Sequence, residues 1–239
     1  LSEAHQLYRR YLAFKPDDAQ ALHNLGVVGL QMGQAEAAIV LIRQSLEIDD
    51  RCADAQCNLG MALKQAGLLE AAEQAYLSAI AIDPMIVDAH SNLGVLLKEM
   101  NRFDEARDAL SVAVGLAPDN GVVLSNLGLL EVQALRPVQA LEYLASAAEL
   151  EPDNAQILAN LGGVLADQAR YREGVSFLQK ACAQEPKTAE IYFNLGRCYF
   201  NTGKLTEAIK SYTESINLDP SFAVAHHNLG HALLADGRL

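Results

Sequence analysis

The triplet Asn-Leu-Gly occurs seven times at one fixed interval, beginning at Asn24, Asn58, Asn92, Asn126, Asn160, Asn194 and Asn228, each 34 residues after the last. A period of this length that neither gains nor loses a residue marks one helix-turn-helix unit copied along the chain. Such units stack so that each covers the apolar face of its neighbour. The 239 residues therefore read as one solenoid, residues 1–239, instead of domains counted by length. With the Asn set at position 6, complete repeats start at Ala19, Ala53, Val87, Gly121, Ala155 and Ala189.

Small residues then fall into columns. Position 8 is always Gly, and position 20 is Ala38, Ala72, Ala106, Ala140, Gly174 and Ala208. Position 27 is Ser45, Ala79, Ala113, Ala147, Ala181 and Ser215. In helical sequence these columns let backbones approach closely. Pro84, Pro118, Pro152, Pro186 and Pro220 share position 32 and mark the boundaries between repeats, because Pro lacks an N–H and disfavours helix in the residue before it. The pattern predicts a first helix over positions 1–14 and a second over 17–30. Gly33, Gly67, Gly203 and Gly237 supply the turn between them, where a positive φ suits Gly; repeat four uses Arg136-Pro137, with Pro at the helix start. In repeat five, Gly163 and Gly174 lie inside helices at a cost of about 1 kcal/mol each, so local opening is expected there first. Residues 1–18 read as the second helix of a preceding repeat, 19–222 as six complete repeats and 223–239 as a further first helix, fourteen helices in all. Ends that fall inside repeats suggest a piece of a longer protein.

These columns resemble the tetratricopeptide repeat family over essentially the whole chain. The resemblance implies an all-α fold, a right-handed α-solenoid superhelix whose first helices line a concave groove. Departures concern the packing of the first helix. There is no Trp, and position 4 carries Leu22, Gln56, His90, Leu124, Leu158, Tyr192 and His226 where the family often has an aromatic residue.

Composition narrows the function. Eighteen Lys and Arg against thirty Asp and Glu give a net charge of −12, which argues against nucleic acid, since phosphate binding needs concentrated positive charge. No run of apolar residues is long enough to insert into a membrane. Cys52, Cys57, Cys182 and Cys198 form no C-x-x-C pair, and Cys182 and Cys198 sit where small buried helix residues are expected; free core thiols point to a reducing, cytoplasmic setting. No enzymatic motif is present. Gly203-Lys204 is followed by Leu205 where a phosphate loop needs Ser or Thr. Asp83, Glu151, Glu185 and Asp219 recur before the boundary Pro as turn residues, not as an acid/base pair. His227 and His231 stand at helical spacing without a third ligand, so neither metal nor cofactor is expected.

The Asn column carries the functional argument. Asn is a poor interior helix residue. It is nevertheless kept in all seven copies while position 5 drifts through His23, Cys57, Ser91, Ser125, Ala159, Phe193 and His227. Two uses of the amide stand open: bridging adjacent helices, or gripping the peptide bonds of a ligand with a donor and an acceptor. Positions 2, 6, 9 and 13 share one stripe of the helix. Charged residues around it are Asp54, Asp88, Glu190, Glu99, Asp167, Lys64, Lys98 and Arg197, a mixed surface. A two-carboxylate chaperone-tail clamp needs Lys or Arg at positions 2, 5 and 6, which are absent here. In the last third, Phe193, Arg197 and Phe200 share one helix as a candidate peptide anchor, with repeat packing as the alternative for the two Phe.

The Asn row is similar to that of the O-linked N-acetylglucosamine transferases, and the wording Asp88-Ala89-His90-Ser91-Asn92-Leu93-Gly94 has the cadence of that subfamily. The resemblance implies a module that binds an extended or disordered polypeptide through Asn24, Asn58, Asn92, Asn126, Asn160, Asn194 and Asn228, aided by Lys64, Lys98, Phe193, Arg197 and Phe200. It would serve as the substrate-recognition region of a larger glycosyltransferase-like protein. The alternative is a non-catalytic scaffold for multiprotein assembly, self-associating head to tail through its two half-repeats.

Overall fold

The computed structural model describes residues 1–184 and 187–237; the boundary residues Glu185 and Pro186 lie outside them, as do Arg238 and Leu239. After α1 (Ser2–Phe14), the first helices of the repeats are α2 (Ala19–Gln31), α4 (Ala53–Gln65), α6 (Val87–Glu99), α8 (Gly121–Gln133), α10 (Ala155–Asp167), α12 (Ala189–Asn201) and α14 (Ala223–Ala235). The second helices are α3 (Ala35–Ile48), α5 (Leu69–Ile82), α7 (Phe103–Leu116), α9 (Pro137–Leu150), α11 (Tyr171–Ala183) and α13 (Leu205–Leu218). There are fourteen helices and no strand among the described residues, the all-helical repeat array that the period implies. Every first helix starts at position 1 and stops at 13, one residue earlier than the pattern predicts.

The early stop has a backbone cause. Position 15 is left-handed in every copy, with φ of 75°, 78°, 77° and 70° at Gly33, Gly67, Gly203 and Gly237, and of 60°, 57° and 58° at Asn101, Leu135 and Ala169. The N–H of position 16 then reaches back to the carbonyl of position 11, as in Gln34 to Gly29, Arg136 to Glu131 and Lys204 to Tyr199 at 2.9, 2.8 and 2.9 Å. This closes the helix end with a six-residue hydrogen-bonded loop. The turn is thus the same where Gly is missing, a point the glycine pattern alone does not reveal. Helix starts are capped where the residue permits: Asp18 accepts from Ala21 N–H at 2.9 Å, Asn120 from Val123 N–H at 3.1 Å, and Asn154 from Gln156 N–H at 3.1 Å. Asp83 and Asp219 accept the N–H of Met85 and Ser221, both at 2.9 Å, so these carboxylates serve the turns.

The helices form two compact units, Leu1–Pro118 and Asp119–Leu239. In the first, α1 lies on α2, the pairs α2–α3, α4–α5 and α6–α7 form hairpins, α3 also packs on α4, and α5 on α6. First helices touch one another, α2 with α4 and α4 with α6, whereas second helices do not come as close. The unit therefore curves with its first helices on the inner face. The second unit repeats this arrangement, with α8, α10, α12 and α14 in contact along its inner side.

Each hairpin closes on the Gly of position 8. A Cβ placed on Gly26, Gly60 or Gly94 would fall 2.6, 2.5 and 2.5 Å from side-chain carbons of Ile42, Tyr76 and Leu110. Gly128, Gly162 and Gly196 would meet Leu144, Leu178 and Tyr212 at 2.8, 2.6 and 2.7 Å. Position 24 is thus the large partner of the small column. At position 27, the Ser45 and Ser215 hydroxyls donate to the carbonyls of Ala19 and Ala189 at 2.7 and 2.8 Å, tying each second helix to the start of its first. The two interior glycines of repeat five do not interrupt their helices. Gly174 is crowded: a Cβ there would lie 3.0 Å from the Gly162 carbonyl oxygen and 3.1 Å from Cys198 Sγ.

Candidate functional site: the inner asparagine face

All seven position-6 asparagines are half-buried. The nitrogens of three of them reach neighbouring first helices. Asn58 Nδ2 donates to His23 Nε2 at 2.9 Å, Asn160 Nδ2 donates to Ser125 Oγ at 3.1 Å, and Asn92 Nδ2 approaches Cys57 Sγ at 3.8 Å. In each case the acceptor is position 5 of the preceding repeat. His23, Cys57 and Ser125 can accept, whereas Ala159 and Phe193 in the same column cannot, and the amide nitrogen of these three asparagines is occupied by the array itself. What remains for a ligand is the oxygen. In Asn24 and Asn160 it accepts from Gln20 and Gln156 at position 2, at 3.1 and 2.9 Å. Where position 2 is Asp54 or Asp88, the Oδ1 atoms of Asn58 and Asn92 accept no hydrogen bond among the described residues. Asn126 also has a partner. Asn194 packs against Gly163, whose missing Cβ would lie 3.4 Å from its Nδ2, and Asn228 faces the Tyr212 hydroxyl.

Burial governs the titratable groups of this face. Desolvation lowers the pKa of His23, opposed by nearby Asp54, and its Nδ1 is buried without a partner. The Cys57, Cys182 and Cys198 thiols are pushed up to about 11 by burial, which makes them inert packing groups. Cys57 and Cys198 are fully buried, whereas Cys182 is only half-buried.

The charged and aromatic candidates are held by neighbours. Lys64 pairs with Glu99 of the next first helix at 2.7 Å. Half-buried Lys98 has its pKa lowered by desolvation, with Glu99 opposing and Lys64 reinforcing the shift. Arg197 Nη2 sits 2.7 Å from Asp167 Oδ1 and 3.3 Å from the Gly163 carbonyl, while its Nε is buried without a partner. Phe193 stacks edge-on against Phe222 with ring centres 5.2 Å apart and tilts against Tyr212 at 6.0 Å, which is repeat packing. Phe200 is half-buried on the same helix. His227 and His231 touch each other, Nε2 to Nε2 at 3.1 Å, and no group of three metal-binding side chains occurs among the described residues.

Within the first unit the inner face opens into a cavity of about 540 Å³. Val27, Leu30 and Gln31 of α2 form one wall, Asn58, Met61, Lys64 and Gln65 of α4 the other, and Tyr76 and Asn92 complete it. Sequence reasoning fixed on the asparagines and missed the apolar part. The signal was available in the position-9 column, which reads Val27, Met61 and Val95 across this unit. A hollow of about 620 Å³ lies at the loop end of the same unit, but Pro16, Asp17, Asp18 and Asp49 of the connecting segments dominate its lining.

Tetratricopeptide repeat models match residues 30–85, 57–121 and 125–187, and further models of the same repeat match 177–210 and 196–237. The chain belongs to the tetratricopeptide repeat family. Among curated protein sequences none matches it. Solved structures of similar tetratricopeptide architecture include the Pseudomonas aeruginosa protein PilF, 25% identical, with a TM-score of 0.77 over 89% of this chain and 97% of that one. The Cut9–Hcn1 hetero-tetramer of the APC/C aligns with a TM-score of 0.87 at 18% identity, over 97% of this chain and 46% of the other. YrrB, described as a tetratricopeptide repeat protein with an unusual peptide-binding site, aligns with a TM-score of 0.57 at 24% identity, over 78% of this chain and 96% of that one. The last two likenesses bear on the fold of this tetratricopeptide repeat protein alone.

Proposed function

We propose that this tetratricopeptide repeat protein binds an extended stretch of another polypeptide along the inner face of its first helices, with asparagine oxygens receiving backbone N–H groups. Repeats of this family are protein-interaction modules. The observation that carries the finer reading is the shared pose of Asn58 and Asn92, each directing its nitrogen to the preceding helix and leaving its oxygen without a partner. A fixed acceptor of this kind recognises main chain and is indifferent to side chains. Helices about 8–10 Å apart and a strand advancing about 3.3 Å per residue bring one such acceptor to roughly every third residue. YrrB, with a related fold, carries a peptide-binding site.

The test is the double replacement of Asn58 and Asn92 by Ala, with binding of a fluorescein-labelled peptide read by anisotropy and helicity by circular dichroism. Affinity is expected to fall by about 1–2 kcal/mol, at about 1 kcal/mol for each net hydrogen bond lost and allowing for non-additivity. Unchanged affinity with a large drop in melting temperature would assign the row to helix bridging alone.

The cadence around Asn92 supports a second reading, in which the module selects substrates for an attached glycosyltransferase-like domain. The reading frame continued past residue 239 tests it. A nucleotide-sugar transferase domain is expected there, and a frame carrying further repeats and no such domain would reject it.

A further inference from the structure

Tyr76 is 1% exposed, yet its hydroxyl has no hydrogen-bond partner among the described residues, and the residue lines the 540 Å³ cavity between Asn58 and Asn92. Its ring is fixed, because the absent Cβ of Gly60 leaves the space that the ring edge fills at 2.5 Å. At the same repeat position Ile42, Leu110, Leu144 and Leu178 bring no polar atom, and Tyr212 has the Asn228 amide beside it. The hydroxyl is open to the solvent of the cavity, where a ligand group can take the place of water.

We propose that this cavity is a side-chain pocket that selects extended segments carrying a bulky aliphatic or aromatic residue, with the Tyr76 hydroxyl donating to a backbone carbonyl next to that residue. The inference rests on the peptide-binding reading above and names the class of segment it prefers. The apolar surface is in place: Met61 is 40% exposed at the mouth, and Val27 and Leu30 are half-buried beside it. Lys64 at the rim is already paired with Glu99 at 2.7 Å, and the walls of Val27, Leu30 and Met61 would desolvate a charged ligand side chain. The oxygens of Asn58 and Asn92 accept main-chain N–H groups on either side, which holds the strand so that one side chain points inward. The volume lies within the range of about 300–1,000 Å³ typical of ligand pockets.

The experiment uses the whole chain and fluorescein-labelled nonapeptides of Gly, Ser and Asn with Leu, Phe, Ala or Glu at the centre. The Leu and Phe peptides are expected to bind about ten-fold tighter than the Ala and Glu peptides. Tyr76→Phe keeps the ring on Gly60 and should weaken the Leu peptide about five-fold without lowering the melting temperature. Met61→Glu should erase the apolar preference. Equal affinity for Leu and Ala peptides, still lost in the double Asn58 and Asn92 variant, would overturn the pocket and leave the asparagine row standing. Unchanged affinity in Tyr76→Phe, or a lower melting temperature caused by a hydroxyl already bonded in the free protein, would also overturn it. Failure of every peptide to bind the unmodified chain would reject both readings.

Discussion

Gly60 and Tyr76 claim the same space, since a Cβ on Gly60 would lie 2.5 Å from Tyr76 Cε1 and 2.9 Å from Cζ. Real Cβ atoms do not come that close, so Gly60→Ala forces the ring or the helix to move. The expected cost is about 1–3 kcal/mol, as for overpacking in a filled core. Gly230 occupies the same column but has no atom within 4 Å of the Cβ position. Gly230→Ala should therefore stabilise by about 0.5–1 kcal/mol through helix propensity alone. Melting curves followed by circular dichroism check the pair, and shifts of the same sign would refute the assignment of the column to ring seating.

Leu135 holds a left-handed backbone, φ 57°, and is 87% exposed, so its side chain offers little packing in return. A left-handed residue with a Cβ costs about 1–2 kcal/mol. Leu135→Gly should recover about 1 kcal/mol of that, and Gly33→Ala, at φ 75°, should lose a similar amount. Denaturant midpoints measure both. No gain from Leu135→Gly would mean that Leu135 contributes contacts outweighing its backbone strain.

The same column shows what the sequence could and could not reveal. Helix positions were legible to within a residue because Asn, Gly, Ala and Pro recur at one period, and each type restricts what its backbone can do. The left-handed turn was legible at Gly33, Gly67, Gly203 and Gly237 but not at Leu135 or Ala169, where hydrogen bonding to the preceding turn imposes it against residue preference. The partner of the Gly column was hidden because Ile42, Tyr76 and Leu110 share only size. The asparagine face was half legible. A row of amides follows from the spacing, whereas the capture of their nitrogens by His23, Cys57 and Ser125 depends on a stacking offset of 35 residues that no local pattern encodes. For Phe193 the choice between peptide anchor and repeat packing stayed open in sequence, because Phe222, like the Asp167 partner of Arg197, is brought to it only by repeat stacking.

Cys52 precedes α4 with φ −88° and ψ 101°, almost the backbone of Asp18, at φ −87° and ψ 101°, which caps α2. Its side chain makes no cap hydrogen bond. Cys52→Asn places an acceptor at that position without adding charge beside Asp49, Asp50 and Asp54. The expected gain is about 1 kcal/mol. A thermal shift of zero, with the thiol's removal otherwise silent, would show that the acceptor does not reach the free N–H groups of the first turn.

His23 joins α2 to α4 by accepting from the Asn58 amide at Nε2. Protonation of Nε2 would set a donor against the amide nitrogen and oblige Asn58 to turn over, while Nδ1 is already buried without a partner. Burial holds the folded pKa of His23 below its ordinary 6.5, and Asp54, the charged group facing it, offsets the shift only in part. Below pH 6.5 the unfolded chain takes up a proton that the folded chain refuses. Unfolded molecules then carry more bound protons, so the stability from this residue is complete above 6.5 and falls as pH drops from there towards the folded pKa. His23→Gln keeps an acceptor for Asn58 and does not titrate. Because the other histidines are common to both proteins, the difference between their melting temperatures isolates His23. That difference should turn progressively against the unmodified chain as pH is lowered below 6.5. A difference that stays flat with pH would show that the ring is not buried as a neutral bridge between the two helices.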